Sequence, residues 1–318
     1  LEAALARLTA DVAGDGVKEA DIVIEAIFEN VDAKRELYAR IEPQLKPGAV
    51  LATNTSSIML EPLAEKLAQP DRLVGLHFFN PVAQMPLVEI IRGKQTSDTA
   101  VQAAVAFTRK IDKLPLPCAS APGFVVNRIL VPYLHEAMFA HSEGVPLEVI
   151  DAAALEFGMP MGPVELADVV GLDVCKHVGD IVAKALGRES PNLEPLHALV
   201  AAKKLGRKSG AGFYEWRDGK AVKTPTTVAP PADLADRLVL ALVNECVAVL
   251  RERIVAEPDH VDAAIVFGAG FAPFRGGPMA YARARGAGDI VARLRELESR
   301  YGSRFRPDSG WETVIERT

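Results

Sequence analysis

His77 and Glu89 are the two side chains in this 318-residue sequence best placed to move a proton between them. His77 lies near the end of one short apolar run, residues 73–79, and Glu89 inside a second, residues 87–91. Asn80, Pro81 and Pro86 separate the runs, so the stretch reads as strand, loop, strand. A carboxylate among Leu87, Val88, Ile90 and Ile91 is poorly solvated without a partner, and the imidazole is the obvious one. Such a carboxylate fixes the tautomer and raises the basicity of the other ring nitrogen, as a general base requires. The same residues read equally well as a core histidine satisfied by a backbone carbonyl, with a glutamate on a solvated strand face.

The elements that must position this pair alternate in type. Residues 1–8 have helical spacing, broken by Gly14 and Gly16; residues 21–28 read as a strand running into Glu29 and Asn30. A helix with Leu37, Tyr38, Ile41 and Leu45 on one face follows, then a strand at 49–52 ending in Thr53, Asn54, Thr55, Ser56 and Ser57. A helix around 62–67 leads back to the strand at 73. Alternating strands and helices predict a parallel sheet, whose ligands bind beyond the carboxyl ends of the strands. Glu29, Asn54, Ser56 and His77 each follow an apolar run, so four strands are expected to present them along one edge. Taken singly, each also reads as a turn or capping residue.

A dinucleotide fold opens on a strand, a G-x-G-x-x-G turn and a helix. Nothing before Asp21 has that form, because Gly14 and Gly16 are followed by neither the third glycine nor a helix. The chain opens on Leu1 in what reads as the middle of a helix, which predicts a piece of a longer polypeptide and an incomplete cofactor site.

After a strand at 114–120, Ala121, Pro122 and Gly123 mark a boundary, and the pattern becomes helical. The spacing predicts a helix over 124–141 kinked by Pro132, a second over 147–157 ended by Gly158, and a loop into a third. Residues 203 to about 231 read as a tether. A helix capped by Asp233 follows, with Leu234, Leu238, Leu242, Cys246 and Val249 or Leu250 facing inward, and another starts at Pro258 and Asp259. The two helical halves repeat an order: Asn127-Arg128 with Asp236-Arg237, Glu136 with Glu245, Asp151 with Asp262, Phe157-Gly158 with Phe267-Gly268, and Gly162-Pro163 with Gly277-Pro278. This predicts a duplicated all-α module whose copies pack together. The expected domains are therefore 1–118, 119–220 and 221–318.

Composition narrows the classes. A hydrophobic share of 49% with 25% charged residues fits a globular chain with a large core, and a net charge of −6 argues against a nucleic-acid surface. The basic cluster of Lys203, Lys204, Arg207 and Lys208 reads as a solvated loop, with a CoA phosphate contact as the lesser alternative. Cys118, Cys175 and Cys246 are dispersed, so neither disulfides nor a metal site is indicated and a reducing compartment is expected. No apolar run approaches the ~18–20 residues of a membrane span, and no secretory signal opens the chain.

The segment HFFNP at 77–81 followed by LVE at 87–89 resembles the signature of the L-3-hydroxyacyl-CoA dehydrogenases. NTSS at 54–57, PGFVVNR at 122–128, KSGAGFYEW at 208–216 and GFAPFRGGP at 270–278 extend the resemblance over nearly the whole chain. It implies a Rossmann-type α/β domain, lacking its first strands and glycine-rich loop, before the helical modules. It further implies His77 as catalytic base held by Glu89, and Ser56 and Asn127 as hydrogen-bond donors to the reacting 3-oxygen. Asn80 would order that pocket; Glu29, Lys34 and Asn54 would contact the nicotinamide half of NAD. Without the resemblance, Asn127 reads as helix polarity and Lys34 as a solvent-exposed helix face.

The duplicated module is similar to that of the long α-subunits of multifunctional fatty-acid oxidation enzymes, where an enoyl-CoA hydratase domain precedes the dehydrogenase. The resemblance implies β-oxidation of a 3-hydroxyacyl-CoA to the 3-ketoacyl-CoA, in a bacterial cytoplasm, with a thiolase subunit and a homodimer as expected partners. Asp236 in place of Asn127 predicts a second module without an active site. Two rivals stand: a hydroxyacid dehydrogenase acting on a small free acid, and an inactive fragment serving as an assembly module.

Overall fold

The structure, a computed structural model, describes residues 2–187 and 193–314; Leu1, which opened the expected first helix, lies outside the described residues. Two compact units are present, one running to Phe78 and including Val88–Ser120, the other comprising Phe79–Leu87 and the chain from Ala121.

The first unit contains α1 (Glu2–Leu5), β1 (Ile22–Glu25), α2 (Val31–Ile41), β2 (Val50–Thr53), α3 (Leu60–Ala64), β3 (Leu73–Phe78), β4 (Leu87–Arg92), α4 (Asp98–Lys110) and β5 (Leu114–Ala119). The sheet order is β1-β2-β3-β4-β5. β1, β2 and β3 are parallel, but β4 runs antiparallel to β3, so the expected parallel sheet is mixed. The short loop between β3 and β4 explains this: a parallel return needs a crossover of a dozen residues or more. The helix expected over 1–8 is only one turn, with Leu5 and Leu8 exposed. No helix was read between 93 and 113, yet Ser97 caps α4 by accepting from the Ala100 N–H.

Period-two alternation decides which side chains meet. Val74 and Leu76 of β3 and Val88 and Ile90 of β4 pack with Ala100 and Ala104 of α4. The intervening residues, including His77 and Glu89, therefore point to the opposite face, and the register pairs them directly.

The second unit holds α5 (Val126–Ser142), α6 (Leu147–Phe157), α7 (Pro163–Val170), α8 (Leu172–Ala185), α9 (Glu194–Ala201), the hairpin β6 (Glu215–Arg217) and β7 (Lys220–Val222), α10 (Leu234–Arg251), α11 (Pro258–Ala269), α12 (Pro278–Arg285), α13 (Ala287–Tyr301) and α14 (Trp311–Val314). α5 runs through Pro132 as a single helix. Its most extensive neighbour is α10, which buries Leu234, Leu238, Leu242, Cys246, Val249 and Leu250 as their spacing predicts.

Two expectations are overturned here. The supposed tether is anchored as far as the hairpin: Asp168 accepts from the Phe213 and Tyr214 N–H groups, both at 2.9 Å, and from Trp216 Nε1 at 3.0 Å. Its glycine and lysine content disguised backbone donors aimed at a buried carboxylate. Asp233 precedes α10 without capping it, because its carboxylate accepts from Tyr301 Oη and pairs with Arg300 instead.

Candidate active site

At the β3–β4 pairing, His77 Nδ1 lies 2.6 Å from Glu89 Oε2. Glu89 is fully buried, which excludes a glutamate on a solvated face, and His77 is 5% exposed with a carboxylate rather than a backbone carbonyl on Nδ1. A carboxylate accepts, so Nδ1 carries the proton and Nε2 the lone pair. The neighbouring strand feels the same charge: burial first, then Glu89, pushes the Cys118 thiol well above its usual range. A buried thiol held protonated in this way is a poor nucleophile.

The polar residues after β1 and β2 form a second cluster. Glu29 Oε1 accepts from Thr55 Oγ1 at 2.6 Å, from the Ser56 and Ser57 N–H groups at 2.9 and 3.1 Å, and from their hydroxyls at 3.3 and 3.1 Å. Burial works to raise its pKa, but these donors and the Lys34 charge outweigh it and hold the carboxyl below its ordinary value. Glu29 thereby fixes the backbone that carries Ser56. Asn54 Oδ1 accepts from the Phe78 N–H at 3.1 Å, tying the end of β2 to the residue after His77. Three strands rather than four present these groups, since Asn54 and Ser56 both follow β2.

Lys34 is fully buried on α2, so the solvent-exposed reading fails. Its Nζ donates to Glu25 Oε1 at 2.7 Å and stands 3.6 Å from Glu29 Oε2. Glu25 was missed by sequence reasoning: on the edge strand it also accepts from Tyr38 Oη and Thr53 Oγ1, each at 2.8 Å. The signal was Lys34 standing one turn before Tyr38 on the buried face of α2. Burial raises the Tyr38 phenol far above its usual range, so it stays protonated and donates to Glu25.

Two expected site residues belong to the second unit. Asn80 is exposed in the β3–β4 loop, and Asn127 is half-buried in the first turn of α5. Asp236, the counterpart of Asn127, is gripped by Arg285 Nη1 at 2.6 Å and Arg293 Nε at 2.8 Å. Among the described residues no group of His, Cys, Asp and Glu could hold a metal ion, and no helix is long and apolar enough to cross a membrane.

Residues 1–121 match the 3-hydroxyacyl-CoA dehydrogenase NAD binding domain, and residues 123–216 match the C-terminal domain of that family. The fatty acid oxidation complex subunit alpha of Vibrio parahaemolyticus is 38% identical, over 98% of this chain and 46% of the relative. That of Shewanella amazonensis is also 38% identical, over 95% of this chain and 45% of the relative. The chain thus spans about half the length of the curated relatives it matches. The solved 3-hydroxybutyryl-CoA dehydrogenase of Escherichia coli aligns with a TM-score of 0.84 at 28% identity, covering 96% of this chain and 83% of that one. The (S)-3-hydroxybutyryl-CoA dehydrogenase of Ralstonia eutropha is 40% identical over 68% of this chain and 78% of that one, with a TM-score of 0.64.

Proposed function

The chain belongs to the 3-hydroxyacyl-CoA dehydrogenase family, and from that premise we propose that it oxidises an (S)-3-hydroxyacyl-CoA to the 3-ketoacyl-CoA with NAD. The observation that carries this reading is His77 Nδ1 held at 2.6 Å by the buried Glu89. Nε2 of His77 takes the proton of the 3-hydroxyl, while the Nδ1 proton stays on the hydrogen bond to Glu89. As the imidazolium forms, the adjacent carboxylate offsets its charge at no cost in reorganisation. Ser56 and Asn127 are proposed to donate to the 3-oxygen, and Asn80 to order the surrounding pocket.

The residues fit the nicotinamide half of the cofactor. Glu29 and Asn54 follow β1 and β2, and His77 is the penultimate residue of β3, so all three stand toward the carboxyl ends of three parallel strands, where dinucleotides bind an open sheet. NAD, when bound, supplies a hydride acceptor for C3. Glu29 and Asn54 are proposed to face the nicotinamide, with Lys34 acting through its ion pairs to hold Glu29 in place. Among the described residues no G-x-G-x-x-G turn opens a helix before β1.

The relatives are named as subunits of a complex, which supports a partner enzyme; thiolase and a second copy of this chain are the proposed associations, in a bacterial cytoplasm. The division of the helical part into modules 119–220 and 221–318 is proposed likewise, with the second module serving as packing. NADH titration followed by fluorescence, repeated with acetoacetyl-CoA, tests the reading. Saturable binding of both, with turnover lost in His77→Ala, is the expected result. A folded chain that binds neither, yet captures thiolase, would establish the assembly-module alternative.

A further inference from the structure

The buried carboxylate of Glu25 is fully occupied by the protein. Its Oε1 accepts from Lys34 Nζ and the Ile27 N–H, both at 2.7 Å, and its Oε2 from Tyr38 Oη and Thr53 Oγ1, both at 2.8 Å. These donors fill the roughly four lone-pair sites of a carboxylate, so Glu25 has none to offer a ligand. Glu29, four residues on, is occupied unevenly. Its Oε1 takes the donors of Thr55, Ser56 and Ser57, whereas its Oε2 faces the Lys34 ammonium at 3.6 Å, beyond hydrogen-bond reach, on a side chain 24% exposed. Lys34 therefore stands between two carboxylates and is bonded to one.

We infer that Glu25 is a positioning residue for the nicotinamide half of the cofactor: by holding the Lys34 ammonium to itself, it leaves Glu29 Oε2 open to a donor of the dinucleotide. The inference rests on the proposed contact of Glu29 with NAD. A carboxylate oxygen beyond the end of β1 suits a hydroxyl or amide donor, and the nicotinamide ribose and carboxamide supply both. A lysine ammonium is a point charge on a flexible stem, free to turn to whichever carboxylate it is left with. Without the charge on Glu25, Lys34 would close onto Glu29 Oε2 and compete with the cofactor for it. Glu25 also steadies the approach to Glu29. It accepts from the Ile27 N–H while Lys34 donates to the Ile27 carbonyl at 3.4 Å, and its own backbone carbonyl accepts from the Asn54 N–H at 2.8 Å.

Glu25→Gln tests the charge with the shape kept. The new carbonyl can accept from Lys34 and Ile27, and the new amide can donate to Tyr38 and Thr53, whose hydroxyls also accept. In an NADH titration followed by fluorescence, this variant is expected to bind at least about tenfold more weakly, the worth of one hydrogen bond to a charged group. Affinity for acetoacetyl-CoA should not change. Adding Lys34→Met removes the competing ammonium, and the double variant is expected to recover NADH affinity to within about threefold of the unaltered chain, a coupling that contacting residues show. A role in folding alone gives the opposite order, because the double variant lacks one more contact. Unchanged NADH affinity in Glu25→Gln, an equal loss for the ester, or a loss that Lys34→Met does not relieve overturns the assignment and leaves the cofactor reading standing. If thermal melts show the single variant unfolded, the double variant, neutral at both positions, decides: NADH affinity more than about tenfold below that of the unaltered chain then overturns it. An unaltered chain that does not bind NADH overturns the cofactor reading, and the role of Glu25 with it.

Discussion

Arg128 Nε on α5 donates to Glu245 on α10 at 2.9 Å, while Arg237 Nε on α10 donates to Glu136 on α5 at 2.7 Å. Arg237 follows Arg128 by the same offset that separates Glu245 from Glu136, so the helices exchange equivalent pairs, as the faces of an isologous interface do. All four residues are buried. This reciprocity supports the reading of the two helical halves as copies of one module.

Removing one partner of such a pair leaves a charge in a poorly solvated place. Arg128→Met is expected to cost about 3–5 kcal/mol, read from the denaturant midpoint. Adding Glu245→Met should return most of that loss, since Glu252 keeps a second partner in Arg251. A double variant as unstable as the single one would show that shape, rather than charge pairing, governs the contact.

In the site, Glu89→Gln preserves shape but removes the charge that steadies a protonated His77. A positioned base contributes about 10²–10⁴-fold, so His77→Ala should lower kcat by at least tenfold and Glu89→Gln by a comparable amount, with KM for the ester little changed. Turnover near that of the unaltered protein in either variant would remove the pair from the chemistry.

The same helix-start device occurs twice in the helical part. Asp151 Oδ1 accepts from the Val164 N–H at 2.8 Å, and Asp262 Oδ1 from the Met279 N–H at 2.6 Å. A Cβ on Gly162 or Gly277 would approach these carboxylates to 2.2 or 2.4 Å. Gly162→Ala should therefore destabilise by about 1–3 kcal/mol through overpacking, and Gly277→Ala by more, because its φ of 117° already strains any side chain. Thermal melts of the two variants, side by side, check the order.

Acid should act through His135, whose imidazole is pushed by burial from 6.5 to about 4, with Asp180 opposing and His197 adding to the shift. Between those values the unfolded chain holds the extra proton and the folded chain does not, so stability rises with pH in that window. The contribution is complete above about 6.5 and lost as pH falls toward 4, amounting to about 2 kcal/mol near pH 5. Unfolding of His135→Gln should show a correspondingly flatter dependence on pH across this range; an unchanged slope would exclude His135 as its source.

The His77–Glu89 pair was legible in the sequence because both residues sit in short apolar runs whose alternation throws them to one face, and the brief loop sets the register. The helical faces of α6 and α10 were legible for a similar reason: a local period betrays a buried stripe. Glu25 was not, since in IVIE it looks like the end of an edge strand until Lys34 and Tyr38 of α2 reach it. Nor was the anchoring of Phe213, Tyr214 and Trp216, because a single distant carboxylate, Asp168, replaces the hydrophobic pattern that would have announced it.

The equivalent Arg–Glu exchange between α5 and α10 has a thermodynamic consequence. Between two separate chains such a contact would dissolve on dilution; here α5 and α10 belong to one chain, joined through the exposed stretch between β7 and α10, and their docking is unimolecular. A short flexible link corresponds to a millimolar local concentration of one half around the other. The α5–α10 seam should therefore persist at protein concentrations far below those at which free subunits would part.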